Sequence, residues 1–406
     1  MSKIAVLGYG VVGSGVVELL YKNKQHIEKK AGQEVDIKYI LDIRDFPDSP
    51  YKDKFVKDVN IIINDDEVKA VAECMGGLEP AYSFVKACLE KGKSVSTSNK
   101  ELVAEKGAEL LAIAKKMDCN FFFEASVGGA IPIIRPLHRC LAANEITEIS
   151  GILNGTTNFI LTKMIDEQMG FEDALKLAQD LGYAEKDPTD DVEGNDACRK
   201  ICILASLAFG KHVYPKNVYT KGIRGITLQD VEFAKAWGGS IKLVGSVKML
   251  ENGKIHISVE PKLVPYDNLI SRVDDVFNAV MVVGDAIDKT MFYGRGAGKL
   301  PTASAVIADL IESVKHDRMV FSQYWEDTSD TSYIEEYCKA QSRMYFRVDR
   351  MNSDLFGDVE YISASDTEEI AFTTQMMCIK DAVKLKIKIE ENGIKVKSMI
   401  SVLDID

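Results

Sequence analysis

The sequence predicts an α/β fold in which a doubly wound parallel sheet is followed by α+β parts. First, short apolar strands alternate with helical segments from residue 1 to about residue 135, which is typical of such a sheet. Second, the first strand leads directly into Gly8-Tyr9-Gly10-Val11-Val12-Gly13 and a helix, the context of a dinucleotide-binding turn. Third, the alternation stops near Ile146, beyond which the elements resemble an α+β fold.

The first part is predicted to be a Rossmann-type sheet. We expect strands at 3–7, 37–41, 70–75, 94–97 and 120–123, and helices at 14–22 and 101–116, with another ending at Lys91. In such sheets, ligands bind beyond the carboxyl ends of the strands. Gly76, Ser98 and Lys100 follow strand ends of this kind. Lys100 also begins a helix, where a cation opposes the dipole, so a simple solvated lysine is the less favoured interpretation.

The glycines of the first turn have separate predicted roles. Gly8 permits the tight turn, Gly10 lets the backbone approach a pyrophosphate, and Gly13 lets the helix pack close to the strand. The phosphates would meet the N–H groups of the helix N-terminus, and Val11 and Val12 of the turn are also expected to contact the cofactor. The chain is therefore predicted to bind a dinucleotide.

The end of the second strand bears on which dinucleotide is bound. A carboxylate at this place hydrogen-bonds the ribose diol of NAD, whereas an arginine accepts the 2′-phosphate of NADP. Asp42 and Arg44 supply both groups. The sequence therefore leaves NAD and NADP open.

The composition excludes several classes of protein. The 406 residues exceed one typical domain, and 46% hydrophobic and 28% charged residues are usual for a globular protein. A net charge of −12 argues against a nucleic-acid partner. No apolar run reaches the roughly 20 residues that cross a bilayer, and the N-terminus lacks signal-peptide features. We expect a cytoplasmic protein with no membrane partner, whose eight scattered cysteines are reduced and whose five histidines form no zinc site.

An acidic run from Gly182 onward leads into the most informative helix, predicted at 195–209. Its spacing places Asp196 and Lys200 one turn apart on one face. A lone ammonium among apolar residues is unusual unless it faces a cleft, and a carboxylate one turn away keeps it charged. A charged lysine can bind an oxyanion or donate a proton. The alternative, a surface ion pair that stabilises little, is disfavoured by the dense acidic turn before the helix.

The remaining segments are predicted to be mostly strands. We expect strands at 146–153, 244–249, 254–263 and 276–283, a helix capped by the turn at 154–158, and another helix at 171–181. The glycine loop 294–298 precedes a helix at 302–314 that returns to the first domain. The small-residue turn 124–132 could bind a hard cation through its carbonyls, but the residues alone favour a close-packed hinge.

The end of the chain is predicted to be a further small module. Residues 327–331 are the best linker candidate, and strands are expected at 344–348, 370–377 and 394–403. Residues 379–391 fit both a strand and a helix, so their structure stays open.

Seven segments together resemble the homoserine dehydrogenase family, in that family's order. They are 8–13, 76–81, 98–100, 124–129, 151–159, 182–200 and 296–298. The segments 151–159 and 182–200 are highly specific. The resemblance covers about residues 1–318 and implies NAD(P)-linked interconversion of L-homoserine and L-aspartate 4-semialdehyde, in the biosynthesis of threonine, methionine and isoleucine.

The resemblance also implies roles for individual residues in substrate chemistry. Lys200 and Lys100 look like the paired catalytic lysines, with Lys200 as proton donor. Glu185 and Asp196 look like the residues that hold the substrate's ammonium and hydroxyl. The other substrate-binding residues implied are Asp191, as a supporting carboxylate, with Gly182 and Tyr183 from the same motif.

Further roles concern the cofactor and a cation. Glu124, Val127, Gly129 and Ile131 match the family's structural sodium site, which is built largely from carbonyls, and this raises the expectation of a cation there. The cofactor contacts expected from the turn, the strand ends and the resemblance are Gly8, Gly10, Val11, Val12, Gly13, Arg44, Gly76, Ser98, Lys100 and Gly298.

Residues 341–406 resemble, more weakly, the regulatory ACT domain of that family. Residues 344–348 suit its first strand and 397–403 its last. The turn at 349–354 lacks the usual proline-glycine start of a helix. This departure leaves threonine binding open against a dimer-forming or structural module.

The predicted organisation has four parts. They are an NAD(P)-binding Rossmann domain at 1–133 completed by 299–320, a catalytic and dimerisation domain at 134–298, a linker at 321–340 and an ACT-like domain at 341–406. We expect a homodimer or homotetramer. The alternatives are a non-catalytic dinucleotide-sensing regulator, disfavoured because both lysines and the matched acids are present, and another semialdehyde or 3-hydroxy-acid dehydrogenase.

Overall fold

Two units, each made from separate stretches of the chain, form the structure. The computed structural model describes residues 1–316, 319–321, 325–328, 330–364 and 367–403. The first unit contains residues 1–145, 202–215 and 294–329, and the second contains 146–201, 216–293 and 330–406. Two of the boundaries between these units, after residues 145 and 293, lie near the domain boundaries at 133 and 298 that the sequence predicts. The predicted domain boundaries themselves stay predictions.

A six-stranded parallel sheet is the centre of the first unit. Its strands and helices are β1 (Ser2–Leu7), α1 (Val11–Lys22), α2 (Lys24–Ala31), β2 (Val35–Leu41), β3 (Phe55–Val56), α3 (Val59–Ile63), β4 (Val68–Glu73), α4 (Ala81–Glu90), β5 (Ser94–Thr97), α5 (Lys100–Lys116) and β6 (Phe121–Phe122). The strand order β3-β2-β1-β4-β5-β6 is that of a Rossmann fold. This order confirms the predicted doubly wound sheet and brings the ends of β1, β2, β4 and β5 to one edge.

Some predicted boundaries in this unit were wrong for local reasons. Helix α1 begins at Val11, three residues earlier than predicted, because Gly10 is its N-cap and the helix starts inside the glycine turn. Strand β4 ends at Glu73 instead of residue 75, where the Glu73 carboxylate accepts a hydrogen bond from the N–H of Met75 and the chain turns. Helix α2 was not predicted, since Ile27 and Ala31 alone are buried in it.

A mixed sheet is the centre of the second unit. The next elements along the chain are β7 (Ile146–Ile152), α6 (Gly155–Asp166), α7 (Phe171–Asp180), α8 (Thr189–Val192), α9 (Asn195–Phe209), β8 (Tyr219–Thr220), α10 (Leu228–Trp237), β9 (Gly239–Met249), β10 (Ile255–Pro265), β11 (Phe277–Gly284) and β12 (Asp288–Arg295). They belong to the second unit, except that residues 202–209 of α9 and 294–295 of β12 belong to the first. Helix α9 has the predicted bounds, and Asn154 caps α6 as the polar turn predicts. Strand β9 begins five residues before its predicted start, because its first nine residues are all buried. Strand β12 extends into the predicted glycine loop.

Helix α11 (Lys299–Lys315) lies against α1 in the first unit, as expected for the helix after the glycine loop. The two helices approach closely at Gly15. A Cβ atom there would lie 2.8 Å from the carbonyl oxygen of Lys299 and 3.2 Å from the Cβ of Ala303. Only glycine permits this approach, so α11 completes the first unit through a backbone-level contact.

The end of the chain extends the mixed sheet. Its elements are β13 (Gln341–Ser342), β14 (Met344–Val348), α12 (Ser353–Phe356), β15 (Val359–Ile362), β16 (Ile370–Thr374), β17 (Met377–Cys378), α13 (Ile379–Glu391) and β18 (Val396–Val402). Strand β18 pairs in parallel with β10, so one sheet runs β12-β11-β7-β9-β10-β18-β14-β16-β15, with β8 on β10. The predicted strand at 370–377 is divided into β16 and β17.

The ambiguous segment 379–391 is helical. Its residues Ile379, Ala382 and Ile389 are buried, the last two in a cluster that contains Phe346 and Phe372. Helix α12 has only four residues, in agreement with the missing helix start noted in the sequence. The order β14-α12-β15-β16-α13-β18 is the β-α-β-β-α-β order of a small α+β module.

The segment predicted as a linker is packed where the structure describes it. Trp325 is 1% exposed, Glu326 pairs with Lys211, and Ile334 pairs with Ile255. Ser329, within the linker candidate, lies outside the described residues. Across the described part of the chain, every helix is too short or too polar to span a bilayer.

Candidate active site

The glycine turn has the geometry that each predicted role requires. Gly8 has φ +91°, in the region that favours glycine. A Cβ atom on Gly13 would lie 1.8 Å from the carbonyl oxygen of Gly8, so the helix passes over the turn at backbone distance. A Cβ atom on Gly10 would meet nothing within 4 Å, so this side of the turn is open for a ligand. Val11 and Val12 form the first turn of α1 behind it.

A cavity of about 400 Å³ opens beside this turn, at the carboxyl ends of β1, β2 and β4. Gly8, Gly10, Asp42, Arg44 and Gly76 are among the residues that line it. The helix N-terminus and the open glycine suit a pyrophosphate. Four of the predicted cofactor contacts, Gly8, Gly10, Arg44 and Gly76, therefore meet in one cavity, and the residues present fit a bound dinucleotide.

Asp42 is engaged within the protein. Its Oδ2 accepts a hydrogen bond from the N–H of Tyr9 at 2.8 Å, and its Oδ1 accepts from the backbone N–H and Nε of Arg44 at 3.0 and 2.9 Å. The guanidinium of Arg44 beside it holds the pKa of Asp42 well below its usual range. Both carboxylate oxygens thus position the turn and the arginine, which the sequence pattern did not indicate.

Arg44 and Lys57 bring positive charge to the rim of the cavity. The Arg44 side chain is 58% exposed, and its guanidinium lies 5.2 Å from the centre of the Phe46 ring. Lys57 also lines the cavity and pairs with Asp45 at 2.7 Å. Lys57 was not predicted to lie at the site, because it directly follows the short strand β3, which no sequence pattern predicted.

Glu73, at the end of β4, ties two cofactor-side loops together. It is fully buried, its Oε1 accepts from the N–H of Met75 at 2.7 Å and of Gly76 at 3.4 Å, and its Oε2 accepts from the Thr97 hydroxyl. Burial raises the pKa of this carboxyl. Sequence analysis missed Glu73, although an acid that ends an apolar strand was a usable signal.

Lys100 is the first residue of α5. The Asn99 side chain caps this helix by accepting from the N–H of Leu102 at 3.0 Å, and it donates to the carbonyl of Gly77 at 2.6 Å. Ser98 precedes the cap, and its N–H donates to the carbonyl of Glu73 at 3.3 Å. The turns that follow β4 and β5 are therefore joined by hydrogen bonds, which place Gly76, Ser98 and Lys100 at one edge of the sheet.

Lys200 and Asp196 form a buried ion pair in the second unit. The Lys200 ammonium donates to Asp196 Oδ2 at 2.8 Å and to the carbonyl of Leu153 at 2.7 Å. The two side chains are 10% and 3% exposed. This geometry excludes the surface-pair interpretation and gives the Lys200 ammonium a buried carboxylate and a carbonyl as hydrogen-bond acceptors.

Asn154 joins this pair to a second carboxylate. Its side-chain N–H₂ donates to Asp191 Oδ1 at 2.7 Å and to Asp196 Oδ2 at 2.9 Å, while its Oδ1 accepts from the N–H of Thr157 at 2.9 Å. Burial, and then the charge of Asp196, raise the pKa of Asp191. The sequence indicated Asn154 only as part of the turn at 154–158, although an asparagine before Gly155-Thr156-Thr157 is a recognisable N-cap signal.

The segment with Gly182, Tyr183 and Glu185 lies beside this cluster at the surface. Gly182 has φ +77°. The carbonyl of Tyr183 accepts from the Thr156 hydroxyl at 2.8 Å, and its ring meets Phe159 edge-on at 5.1 Å. Glu185 is exposed, and its carboxylate makes no hydrogen bond or ion pair with any described residue. Lys100 belongs to the first unit, so the pairing of the two lysines stays a prediction.

The turn proposed for sodium has its one carboxylate already occupied. The Glu124 carboxylate accepts from the N–H groups of Ile133, Ile134 and Arg135 at 2.7, 2.9 and 2.9 Å. A cation here would have to use backbone carbonyls, as the resemblance implies. Val127 and Ile131 are buried, and Gly129 has φ +56°. In the described parts of the chain, no group of three or more His, Cys, Asp and Glu side chains could hold a metal ion.

Gly298 is the N-cap of α11 and has φ +130°. The carbonyl oxygen of Gly298 accepts from the N–H of Thr302 at 3.0 Å. A second long helix of the first unit therefore begins at this glycine, and its contact with the cofactor stays a prediction.

Comparison with known proteins identifies the family to which this chain belongs. A homoserine dehydrogenase family model matches residues 132–311, and the model of the homoserine dehydrogenase NAD-binding domain matches residues 8–124. The homoserine dehydrogenase of Bacillus subtilis is 45% identical over 322 residues, which are 78% of this chain and 74% of the relative. That of Lactococcus lactis is 39% identical over 336 residues, which are 80% of this chain and 78% of the relative.

Two solved structures are similar to this chain, one over nearly its whole length and the other over about three quarters of it. The homoserine dehydrogenase from Thiobacillus denitrificans has a TM-score of 0.91 at 35% identity and covers 99% of this chain and 98% of its own. A hyperthermophilic archaeal homoserine dehydrogenase in complex with NADPH has a TM-score of 0.65 at 28% identity and covers 77% of this chain and 97% of its own. The chain therefore belongs to the homoserine dehydrogenase family and is an NAD(P)-dependent oxidoreductase.

Proposed function

We propose that Lys200 gives a proton to the substrate oxygen when L-aspartate 4-semialdehyde is reduced, and takes it back when L-homoserine is oxidised. The observation that carries this proposal is the buried ammonium of Lys200, held between Asp196 and the carbonyl of Leu153. A bound nicotinamide cofactor supplies or accepts the hydride. A positive charge beside the aldehyde oxygen stabilises the alkoxide that forms there.

The carboxylates around Lys200 are proposed to bind the amino end of the substrate. Asp191 and Asp196 share the side-chain amide of Asn154, so their positions are set by one group. An α-ammonium group of the substrate would be attracted to carboxylates held in this way. Glu185 and Tyr183, on the adjoining surface segment, are proposed to add contacts when substrate binds, and Lys100 is proposed to act with Lys200.

NADP is proposed as the preferred cofactor. Arg44 and Lys57 line the same end of the cavity beyond β2, where a 2′-phosphate would stand. Asp42 supports this choice, because a carboxylate at this place would bind the ribose diol of NAD, whereas both oxygens of Asp42 accept hydrogen bonds from Tyr9 and Arg44. The archaeal relative was solved with NADPH, which agrees with this proposal.

The enzyme is further proposed to be a cytoplasmic homodimer or homotetramer. All eight cysteines are free thiols, as expected in a reducing compartment. Leu269 and Tyr293 in the second unit are more than half exposed, and large apolar side chains of this kind favour assembly. A structural sodium ion is proposed only through backbone carbonyls at Glu124, Val127, Gly129 and Ile131. The final module is proposed to be ACT-like, with no effector assigned.

The test is the initial rate of L-homoserine oxidation at alkaline pH with NADP and with NAD. We expect faster turnover at low NADP, and Arg44→Ala to raise the KM for NADP about tenfold or more, because a charged hydrogen bond to phosphate is lost. Lys52→Ala, an exposed lysine of the same unit, is the control for loss of charge and is expected to change neither KM. A lower KM for NAD in the parent protein would contradict the cofactor proposal. Parent-like turnover by Lys200→Met would contradict the proton-transfer proposal.

A further inference from the structure

A second cavity, of about 330 Å³, lies in the second unit, away from the Lys200 cluster. One wall is formed by β7, β9, β10 and β18, and the other by residues 340–342, Met376 and Ile379. All of these residues belong to one unit. The volume is at the lower end of the range for small-ligand sites, roughly 300–1,000 Å³. The proposed reaction makes no use of this cavity.

Two polar groups in this cavity are buried without a hydrogen-bond partner in the described part of the chain. Lys262 is 7% exposed, and its ammonium forms an ion pair with Glu260 Oε1 at 3.6 Å but lies beyond hydrogen-bond distance from it. Ser401 is 1% exposed, and its hydroxyl has no hydrogen-bond partner among the described residues. The two residues are neighbours, because the parallel pairing of β10 and β18 places Lys262 opposite Ser401. An ammonium and a hydroxyl therefore face the same space.

The carboxylates of this wall are already engaged. Glu260 Oε2 accepts from the Tyr337 hydroxyl at 2.6 Å, and its Oε1 accepts from the Ser258 hydroxyl at 3.0 Å. Glu148 Oε1 accepts from the Ser150 hydroxyl at 3.2 Å. What the cavity lacks is thus an acceptor for Lys262 and Ser401, and an anion supplies one.

The remaining lining limits the shape and charge of such an anion. The Nδ1 atom of His256 has no partner among the described residues. Burial and the charge of Lys262 lower the pKa of His256 to about 4, so the ring is neutral at pH 7 and can donate or accept one hydrogen bond. Leu250, Ile379 and Val402 form an aliphatic side of the cavity. The lining carries two carboxylates, Glu148 and Glu260, and two ammonium groups, Lys248 and Lys262, so it has no net positive charge that would favour a second negative charge on the ligand.

We propose that this cavity binds a small monocarboxylate with a short aliphatic chain, whose carboxylate accepts hydrogen bonds from Lys262 and Ser401. The aliphatic part lies against Leu250, Ile379 and Val402. This site is separate from the one that holds the substrate, so the proposal stands whether or not Lys200 is the proton donor.

The first test is calorimetric titration of the full-length protein with isobutyrate, which is branched and unlike the linear substrate. Inorganic phosphate and isobutanol are titrated in parallel. We expect one isobutyrate per chain, at least tenfold weaker binding of the other two, and no displacement by saturating L-homoserine. Tighter binding of phosphate or equal binding of isobutanol would overturn the proposal. Displacement of isobutyrate by L-homoserine would also overturn it, because the ligand would then lie in the catalytic site. Absence of isobutyrate binding at tens of millimolar would overturn it as well.

Variants assign the binding to the proposed groups. Lys262→Met is expected to weaken isobutyrate about 10- to 100-fold, as expected for loss of a charged hydrogen bond. Ser401→Ala removes one hydroxyl without filling the cavity and is expected to weaken isobutyrate binding less than Lys262→Met does. This variant keeps the test decisive if Lys262→Met folds poorly. Lys254→Met is the matched control, because Lys254 precedes β10 and pairs with Glu335 outside the cavity. Isobutyrate affinity that survives Lys262→Met or Ser401→Ala unchanged would overturn the proposal.

Discussion

The ammonium of Lys200 donates a hydrogen bond to Asp196 Oδ2 at 2.8 Å within an almost fully buried pair. Both residues lie one turn apart on α9, in the part of that helix that belongs to the second unit. Removing one partner of a buried ion pair leaves the other charge uncompensated, which is far more damaging than the loss of a surface pair. The pair is therefore expected to contribute to the stability of α9.

Replacing Lys200 by methionine is expected to lower kcat by about 10²- to 10⁴-fold, because the substrate oxygen loses its proton donor. The dissociation constant for NADP should stay the same, since the cofactor cavity is lined by residues of the first unit. Steady-state rates and fluorescence titration measure the two quantities. Lys176→Met, on the exposed face of α7, is the control. A kcat close to that of the parent would remove Lys200 from the reaction, and a large loss of NADP binding would make its role structural.

Asn154 offers a way to separate helix capping from positioning of the carboxylates. Asn154→Ser keeps a good N-cap residue for α6 but removes the amide that joins Asp191 and Asp196. We expect nearly parental stability and a fall of about 10- to 100-fold in kcat/KM for L-homoserine. Asn154→Ala should lose the same activity and about 1 kcal/mol of stability as well. Full activity in the serine variant would mean that the amide bridge does not position the site.

Substitutions at two glycines of the turn are expected to affect different properties, stability at Gly13 and cofactor binding at Gly10. Gly13→Ala should destabilise the first unit by about 1–3 kcal/mol, because its Cβ atom would overlap the carbonyl of Gly8. Gly10→Ala should leave the unfolding free energy unchanged, since its Cβ atom meets nothing within 4 Å, yet it should raise the KM for NADP by blocking the pyrophosphate. Denaturant unfolding and initial rates distinguish the two. An unchanged KM in Gly10→Ala would place the phosphates elsewhere.

His256 is expected to make the stability of the protein depend on pH. Burial and Lys262 lower its pKa to about 4 from its ordinary 6.5, against the smaller opposing effects of Glu260 and Glu335. Between these values the unfolded chain binds a proton that the folded chain does not, so stability is complete above pH 6.5 and falls as the pH falls toward 4. The loss is on the order of 3 kcal/mol.

The measurement is the unfolding free energy at several pH values between 4 and 7. His256→Gln should flatten this part of the curve, whereas replacing the exposed His26 by glutamine should leave it unchanged. Equal slopes in the parent and His256→Gln would show that the imidazole titrates normally in the folded state.

Local patterns were sufficient for much of this molecule. The strand–glycine turn–helix at residues 3–22 identified the dinucleotide-binding sheet, because the turn needs glycine at fixed positions whatever lies around it. Helix α9 was bounded correctly and its Asp196–Lys200 pair was identified, because i,i+4 spacing alone places both on one face. The family resemblance rested on short segments of the same kind, and the comparisons confirm it.

Other features depend on contacts between distant parts of the chain, which spacing does not reveal. The sequence did not show that the carboxylate oxygens of Asp42 accept hydrogen bonds from Tyr9 and Arg44. Segment 379–391 fitted two periodicities, and burial in the cluster with Phe346 and Phe372 selects the helix. The amide of Asn154 reaches carboxylates 37 and 42 residues away, and Lys262 meets Ser401 only because β18 returns to pair with β10. The chain's local preferences set its elements, and long-range packing and hydrogen bonding determine which side chains share a site.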